Sequence, residues 1–162
     1  METVVLLAQT ALTFWLAAWL FTGVLDNILY PEMNETFTAQ VLSMARLRED
    51  YPADYALIAH RRIENPRIQR LLFRFIVFAE TLAVLVLAVG TVLLGLAVFG
   101  IVSPEIARPV ALMGALLFTS VWSGFLVAGN WFAYWYCHEW SQNTHYQMTL
   151  WGLGTMVFLV VS

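Results

Sequence analysis

Lysine does not occur in this chain of 162 residues, cysteine occurs once, and only 12% of the residues carry charge. Each shortage removes a class of function. Eight arginines against 11 Asp and Glu leave a formal net charge of −3, so no cationic excess exists to displace counterions from a phosphate backbone, and nucleic acid is not an expected partner. Cys137 alone can form neither an internal disulfide nor a site built from several thiolates. No Gly-rich phosphate loop, Gly-x-Ser-x-Gly elbow, His-Glu-x-x-His or Cys-x-x-Cys-His is present, which withdraws the signatures of phosphoryl transfer, serine hydrolysis, zinc peptidases and covalent c-type haem. The expectation is a protein without catalytic chemistry and without a cofactor. What the chain has in excess is apolar surface: 60% of its residues are hydrophobic, 15% are aromatic, and its mean hydropathy is +0.72. Soluble chains are about 45–50% apolar and about 25% charged, so the composition is that of a membrane protein.

Four apolar runs are long enough to cross a bilayer. Thr3 to Leu25 carries no charge; at about 1.5 Å per residue it extends about 34 Å, more than the roughly 30 Å hydrocarbon core. Met1-Glu2 supplies no positive leader and no Ala-x-Ala site precedes Asp26, so this run is read as a retained span rather than a secretion signal. Asn65 as N-cap and Pro66 at the first helical position open a second span, expected over 66–101, and Ser103-Pro104-Glu105 repeats that chemistry for a third over 104–130. A fourth is expected over 144–162. The architecture is therefore an all-α polytopic membrane protein, one integral domain forming a four-transmembrane-helix bundle, with helical pieces of the first long loop (34–63) as its cap. In that loop Asn34 is the expected N-cap of a helix whose Phe37, Val41, Met44 and Ala45 form an apolar stripe, and Tyr51-Pro52 breaks it.

Charge is distributed one-sidedly. Seven arginines, all three histidines, Asp26, Asn27 and Glu80 fall on the side of the long loop, against Glu2, Gln9, Glu105 and Arg108 on the side of the termini. The arginine bias places the loop side in the cytoplasm by the positive-inside rule. Arg67, Arg70 and Arg74 share a helix face from which they can snorkel to headgroups.

Glu80 carries the most information. It lies six residues past Arg74, about 9 Å deeper, where a charge costs on the order of 2.5–3.5 kcal/mol on insertion scales. Six residues at about 100° each turn it roughly 240° away from Arg74, so its partner must come from another span or from a bound molecule. Asn27 and Asn130 lie at compatible depth. The ordinary reading is an interhelical hydrogen bond; the functional one is an intramembrane ligand anchor or proton carrier.

Three further groups of residues qualify as candidates. Ser120, Gly124 and Ala128 make two successive small-xxx-small steps, with Thr91 and Gly95 a similar notch on the second span; the ordinary role is close packing inside the bundle, the alternative an interface with another subunit. Trp131, Trp135 and Trp140 belong to a dense aromatic stretch whose ordinary place is an interfacial rim, and which can also form a pocket for a lipid, quinone or pigment ring. His138, Glu139 and His145, with Cys137, could in principle ligate a metal, but His138 and His145 stand seven residues apart across an expected loop, no recognised ligand spacing.

The residues Asn27-Ile28-Leu29-Tyr30, Asn34, Phe37, Val41-Leu42-Ser43-Met44, the acid Glu80, Gly129-Asn130-Trp131-Phe132, Trp135, Trp140 and Gln142, taken together, resemble a bacterial family of predicted small integral membrane proteins of unknown function. The similarity spans nearly the whole chain, and Asn130 stands where relatives usually have Glu. The resemblance implies four spans and a multi-pass protein of the bacterial inner membrane, and it adds no reaction. The functional expectation is a non-catalytic accessory subunit, surrounded by lipid and bound to other membrane protein subunits of a respiratory or photosynthetic complex. The alternative is a small transporter or a lipid- or quinone-binding protein using Glu80, Asn27 and Asn130.

Overall fold

Proline and asparagine punctuate a chain that is otherwise free to continue as helix, and the helices follow that punctuation. The computed structural model describes residues 1–161; Ser162, the expected last residue of the fourth span, lies outside the described residues. The elements are α1 (Glu2–Leu29), α2 (Pro31–Leu42), α3 (Ala45–Asp50), α4 (Pro52–Ile58), a 3-10 turn (Ala59–Arg61), α5 (Pro66–Val98), α6 (Pro104–Trp131), α7 (Tyr134–Cys137) and α8 (Glu139–Val161). Four helices begin with proline, whose missing N–H costs nothing in the first turn. Asn65 caps α5 as its sequence position requires, its Oδ1 accepting from the Arg67 N–H at 2.9 Å. Ser103 occupies the equivalent place before α6 without a side-chain cap bond.

Among the described residues three helices, α1, α5 and α6, are long and apolar enough to cross a membrane. This is one fewer than the sequence led us to expect. The shortfall lies in α8: its first three turns hold Ser141, Gln142, Asn143, Thr144, His145 and Gln147, which dilute the apolar run that follows. The boundaries also move. α1 continues four residues past Leu25 and carries Asn27 inside it, and α2 begins at Pro31, so Asn34 lies within α2 and does not cap it.

α5 packs between α1 and α6, α6 lies between α5 and α8, and α1 touches α8. The α5–α6 pair is antiparallel, Gly90 facing Ala111 and Leu87 facing Gly114. The turn joining them ends α5 with paired bonds, Gly100 N–H to the Ala97 carbonyl and Ile101 N–H to the Leu96 carbonyl, each 3.0 Å. Gly100 takes φ +70° there, the left-handed conformation that glycine adopts without steric cost. Between the helices Leu16, Leu20, Leu87, Leu94, Ala111 and Phe118 are buried, each burial removing chain from lipid or water without leaving an unpaired polar group.

Close approach is made by residues other than the expected ones. A Cβ on Gly90 would lie 2.6 Å from the Ala111 Cα, one on Gly114 2.9 Å from the Leu87 Cα, and one on Gly152 would collide with the Thr119 hydroxyl. These glycines let backbones meet where lipid supplies no hydrophobic drive between helices. At Gly124 a Cβ would meet nothing within 4 Å, and at Gly95 only the Thr10 methyl at 3.9 Å. The Ser120–Gly124–Ala128 notch therefore faces outward, and the expectation that it packs the bundle internally is corrected: with Ser123, Val127 and Trp131 it lines an open surface groove.

Two sets of polar contacts fasten α1 near its ends. Close to its start, Arg108 of α6 donates from Nε to Gln9 Oε1 at 3.1 Å and from a terminal nitrogen to Glu2 at 2.6 Å, while the Gln9 amide donates to the Phe158 carbonyl of α8 at 3.4 Å. Close to its end, Asn27 reaches Glu80 of α5 at 2.9 Å.

Candidate functional site

Glu80 is buried, and its partner comes from another helix, as its angular position relative to Arg74 demands. The Asn27 amide donates to Glu80 Oε2 at 2.9 Å, and the Asn34 amide donates in turn to Asn27 Oδ1 at 2.6 Å. Three helices, α2, α1 and α5, are thus joined by a directional chain in which every N–H points toward the carboxyl group. Arg74 is exposed to the surroundings of the bundle. Asn130 does not join the group; at the last turn of α6 its side chain is exposed, because the buried face of that turn is taken by Gly129, against which Tyr134 packs. The expected trio of Glu80, Asn27 and Asn130 is in fact Glu80, Asn27 and Asn34.

This chain of amides lines a cavity of about 530 Å³ between α2 and the ends of α1, α5, α6 and α8. The volume falls within the roughly 300–1,000 Å³ of small-molecule sites. Opposed to the amides in composition is a belt of rings in mutual contact. Trp122 meets Phe125 at 5.5 Å, Phe125 stacks on His145 at 4.9 Å, and His145 lies parallel to Tyr134 at 5.8 Å. Tyr134 stacks on His138 at 5.0 Å, His138 meets Phe37 at 5.2 Å, and Phe37 meets Trp140 at 6.2 Å. The belt draws on α2, α6, α7 and α8, and its continuity depends on Ala133, whose φ of 52° turns the chain sharply between α6 and α7 so that Tyr134 folds back beneath Gly129.

Two polar atoms of this wall, the Trp122 indole N–H and His145 Nδ1, are buried and have no hydrogen-bond partner among the described residues. Both residues line the cavity. An unpartnered donor in an apolar surround costs about 1–3 kcal/mol, so a molecule offering an acceptor there would be favoured. His138 sits outside the spans; burial first, and the Arg46 charge second, hold its pKa below the ordinary imidazole value, and it stacks as a neutral ring.

Among the metal candidates, His138 and His145 flank the ring of Tyr134 on either side and Glu139 is exposed. No three His, Cys, Asp or Glu side chains gather into a ligand set among the described residues. The separation of the two imidazoles by a phenol ring is the physical reason. Trp131 and Trp135 are exposed at the rim, and Arg61 lies 4.7 Å over the Trp131 ring while donating to its carbonyl at 3.2 Å. Trp140 has two faces, one exposed and one on Phe37 and the cavity. The loop helices are tied to the same end of the bundle by Tyr136 donating to Asp54 at 3.1 Å, Arg46 donating to the Cys137 carbonyl at 3.3 Å, and Arg70 pairing with Glu35 at 2.9 Å.

Several members of the site were not singled out from sequence. Trp122 had a usable signal, an indole N–H in the middle of an apolar span. Asn34 had one too: with Asn27 it makes a pair of amides on either side of Tyr30-Pro31. Phe125 and Tyr134 had none beyond being aromatic.

Helical architecture, apolar spans and a polar-anchored cavity at one end define an integral membrane protein. The family described as predicted small integral membrane protein (DUF2165) matches residues 5–162, and the chain belongs to that family, whose function is unknown. No curated protein and no solved structure matches the chain.

Proposed function

We propose that this protein holds a lipophilic small molecule, such as a lipid or a quinone, in the cavity between α2 and the bundle, anchoring its polar end at Glu80 and Asn27 and catalysing no reaction of its own. In this reading α8 is the fourth crossing, α2 to α4 cover the cavity mouth, and the molecule resides in a bacterial inner membrane with that mouth on the cytoplasmic side. The observation that carries it is the combination, in one cavity of about 530 Å³, of a buried carboxyl group, a directional amide chain and a wall of contacting rings. A cavity serving only to close the bundle would be filled by side chains, as interiors pack to near-crystalline density.

The test uses the full chain purified in mild detergent and the small molecules extracted from it. Wild type should retain a stoichiometric lipophilic compound detectable by mass spectrometry. Thr38→Phe, whose ring would enter the cavity from α2, should retain none, and Glu80→Gln should retain about ten-fold less, corresponding to about 1.4 kcal/mol, with helical content unchanged. Equal retention in all three proteins would eliminate the reading.

The outward groove favours a second role, as an accessory subunit of a larger membrane complex. Its support is Gly124, which no helix of this chain approaches, in a small-residue surface of the kind at which transmembrane helices associate. With cysteine introduced at Ser120 and Cys137 replaced by serine, cross-linking in native membranes should trap one stoichiometric partner, and Gly124→Leu should abolish the product. A chain that stays monomeric and uncross-linked in native membranes would remove this role.

A further inference from the structure

The cavity has an acid and no counter-ion. Glu80 is the one Asp or Glu among its lining residues, no arginine lines it, and the chain has no lysine. Arg74, the nearest cation along α5, points to the outside, and the Arg70 guanidinium is engaged with Glu35. Within the protein the carboxyl group receives its hydrogen bond on Oε2 from Asn27. The amide chain ends on Glu80 and runs toward it, so both of its donors reinforce an acceptor. A carboxyl group in apolar surroundings needs a proton or a partner of opposite charge, and the space beside Glu80 has room for the second.

The wall supplies the rest of the recognition. Trp122, Phe125, Tyr134, Phe37 and Trp140 present π-faces or edges to one space, and a cation within about 6 Å of such a face is attracted to it, most strongly when desolvated. Burial, and after it the Arg46 charge, hold the His138 pKa below the ordinary imidazole value, which favours the uncharged ring beside the cavity. The unpartnered Trp122 indole N–H calls for an acceptor on the same molecule, such as a hydroxyl, ester or phosphate oxygen.

Building on the reading that the cavity is a ligand site, we infer that its occupant is a lipophilic ammonium compound: a protonated or quaternary amine on an apolar body, its nitrogen paired with Glu80 among the aromatic rings and an oxygen acceptor facing Trp122. This is narrower than a lipid or quinone in general, and a neutral quinone head is excluded by it. The same chemistry has two sources, an aminophospholipid headgroup or a free amphiphilic amine.

The full-length protein in phosphatidylglycerol nanodiscs is titrated with benzyltrimethylammonium and with neopentylbenzene, its uncharged isostere, reading tryptophan fluorescence. The cation should bind at least ten-fold more tightly than the isostere, and Glu80→Gln should bring the two to equal affinity. Repeating the cation titration in phosphatidylethanolamine nanodiscs identifies the source: weakened binding there means the lipid ammonium competes for the site, and unchanged binding means a free amine is the occupant. Equal affinities for cation and isostere in the wild type would overturn the ammonium assignment while leaving the ligand cavity intact, and this comparison needs no variant to fold. Should neither probe bind and Thr38→Phe alter no retained compound, the cavity reading itself falls.

Discussion

Gly90→Ala should destabilise the bundle by about 2–3 kcal/mol, the upper part of the range for overpacked cores, and Gly90→Leu should abolish folding. The reason is what a new Cβ would meet. The atoms 2.6 and 2.9 Å away are the Ala111 Cα and N, main-chain atoms of α6 that no rotamer change can move, so the helices themselves must part. Separating them by about an ångström forfeits dispersion contacts along the whole α5–α6 seam, since a gap of 0.5–1 Å already loses a quarter to a half of each contact. Gly114 against Leu87 lies one turn along the same seam and gives way with it. Gly124→Ala is the control, because its Cβ meets nothing within 4 Å; it should stay within about 0.5 kcal/mol of wild type, as exposed substitutions usually do. Unfolding by sodium dodecyl sulfate in mixed micelles, followed by tryptophan fluorescence, makes the comparison. Similar losses at Gly90 and Gly124 would mean that the close approach at Gly90 does not set the cost, since helix propensity favours alanine at both positions.

The second large effect belongs to Asn27. Asn27→Leu leaves Glu80 buried without its donor and Asn34 without its acceptor. A single interhelical hydrogen bond in a membrane protein averages about 0.6 kcal/mol, at most about 1.7, but leaving a buried acceptor without its donor costs about 1–3 kcal/mol, and more for a charged group. The stranded carboxyl dominates, and a loss of about 3 kcal/mol is expected. Removing both partners is different, since an apolar pair of similar volume strands no buried group, and Asn34, which is exposed, can turn its amide to the surroundings. The double variant Asn27→Leu/Glu80→Leu should therefore recover most of the loss and approach wild-type stability, while losing the ligand. A double variant as unstable as the sum of the two single variants would show that Asn27 and Glu80 act independently.

Helix ends were readable because their signals are local: Asn65-Pro66 and Ser103-Pro104 start α5 and α6 where the residues say, and Tyr51-Pro52 interrupts the loop helices. The depth of Glu80 and its turn away from Arg74 were equally readable, since both follow from counting residues along one helix. What could not be read is which faces meet. Small residues occur at both Gly90 and Gly124, and period alone cannot say that the first faces α6 and the second faces outward. Asn130 and Asn34 are comparably polar, but Asn34 joins the acid through Asn27 because α2 starts earlier than its sequence pattern indicated, and Asn130 misses it because Gly129 holds the inward position. The ring belt depends on Ala133 adopting a left-handed conformation, which an alanine does not advertise. α8 is a related case, where polar residues that read as loop are helical and line the cavity.

The two polar fastenings of α1 have a mechanical consequence. From Gln9 to Asn27 is 18 residues, about 27 Å along the helix axis, close to the roughly 30 Å thickness of a bilayer interior. α1 is tied to α6 and α8 at the lower layer and to α5 at the upper one, so it cannot slide or tilt alone to accommodate a thicker or thinner membrane without breaking one set of bonds. Hydrophobic mismatch must be met by inclining all the helices together or by deforming the lipid around them, and the height of the apolar belt becomes a fixed dimension of the molecule.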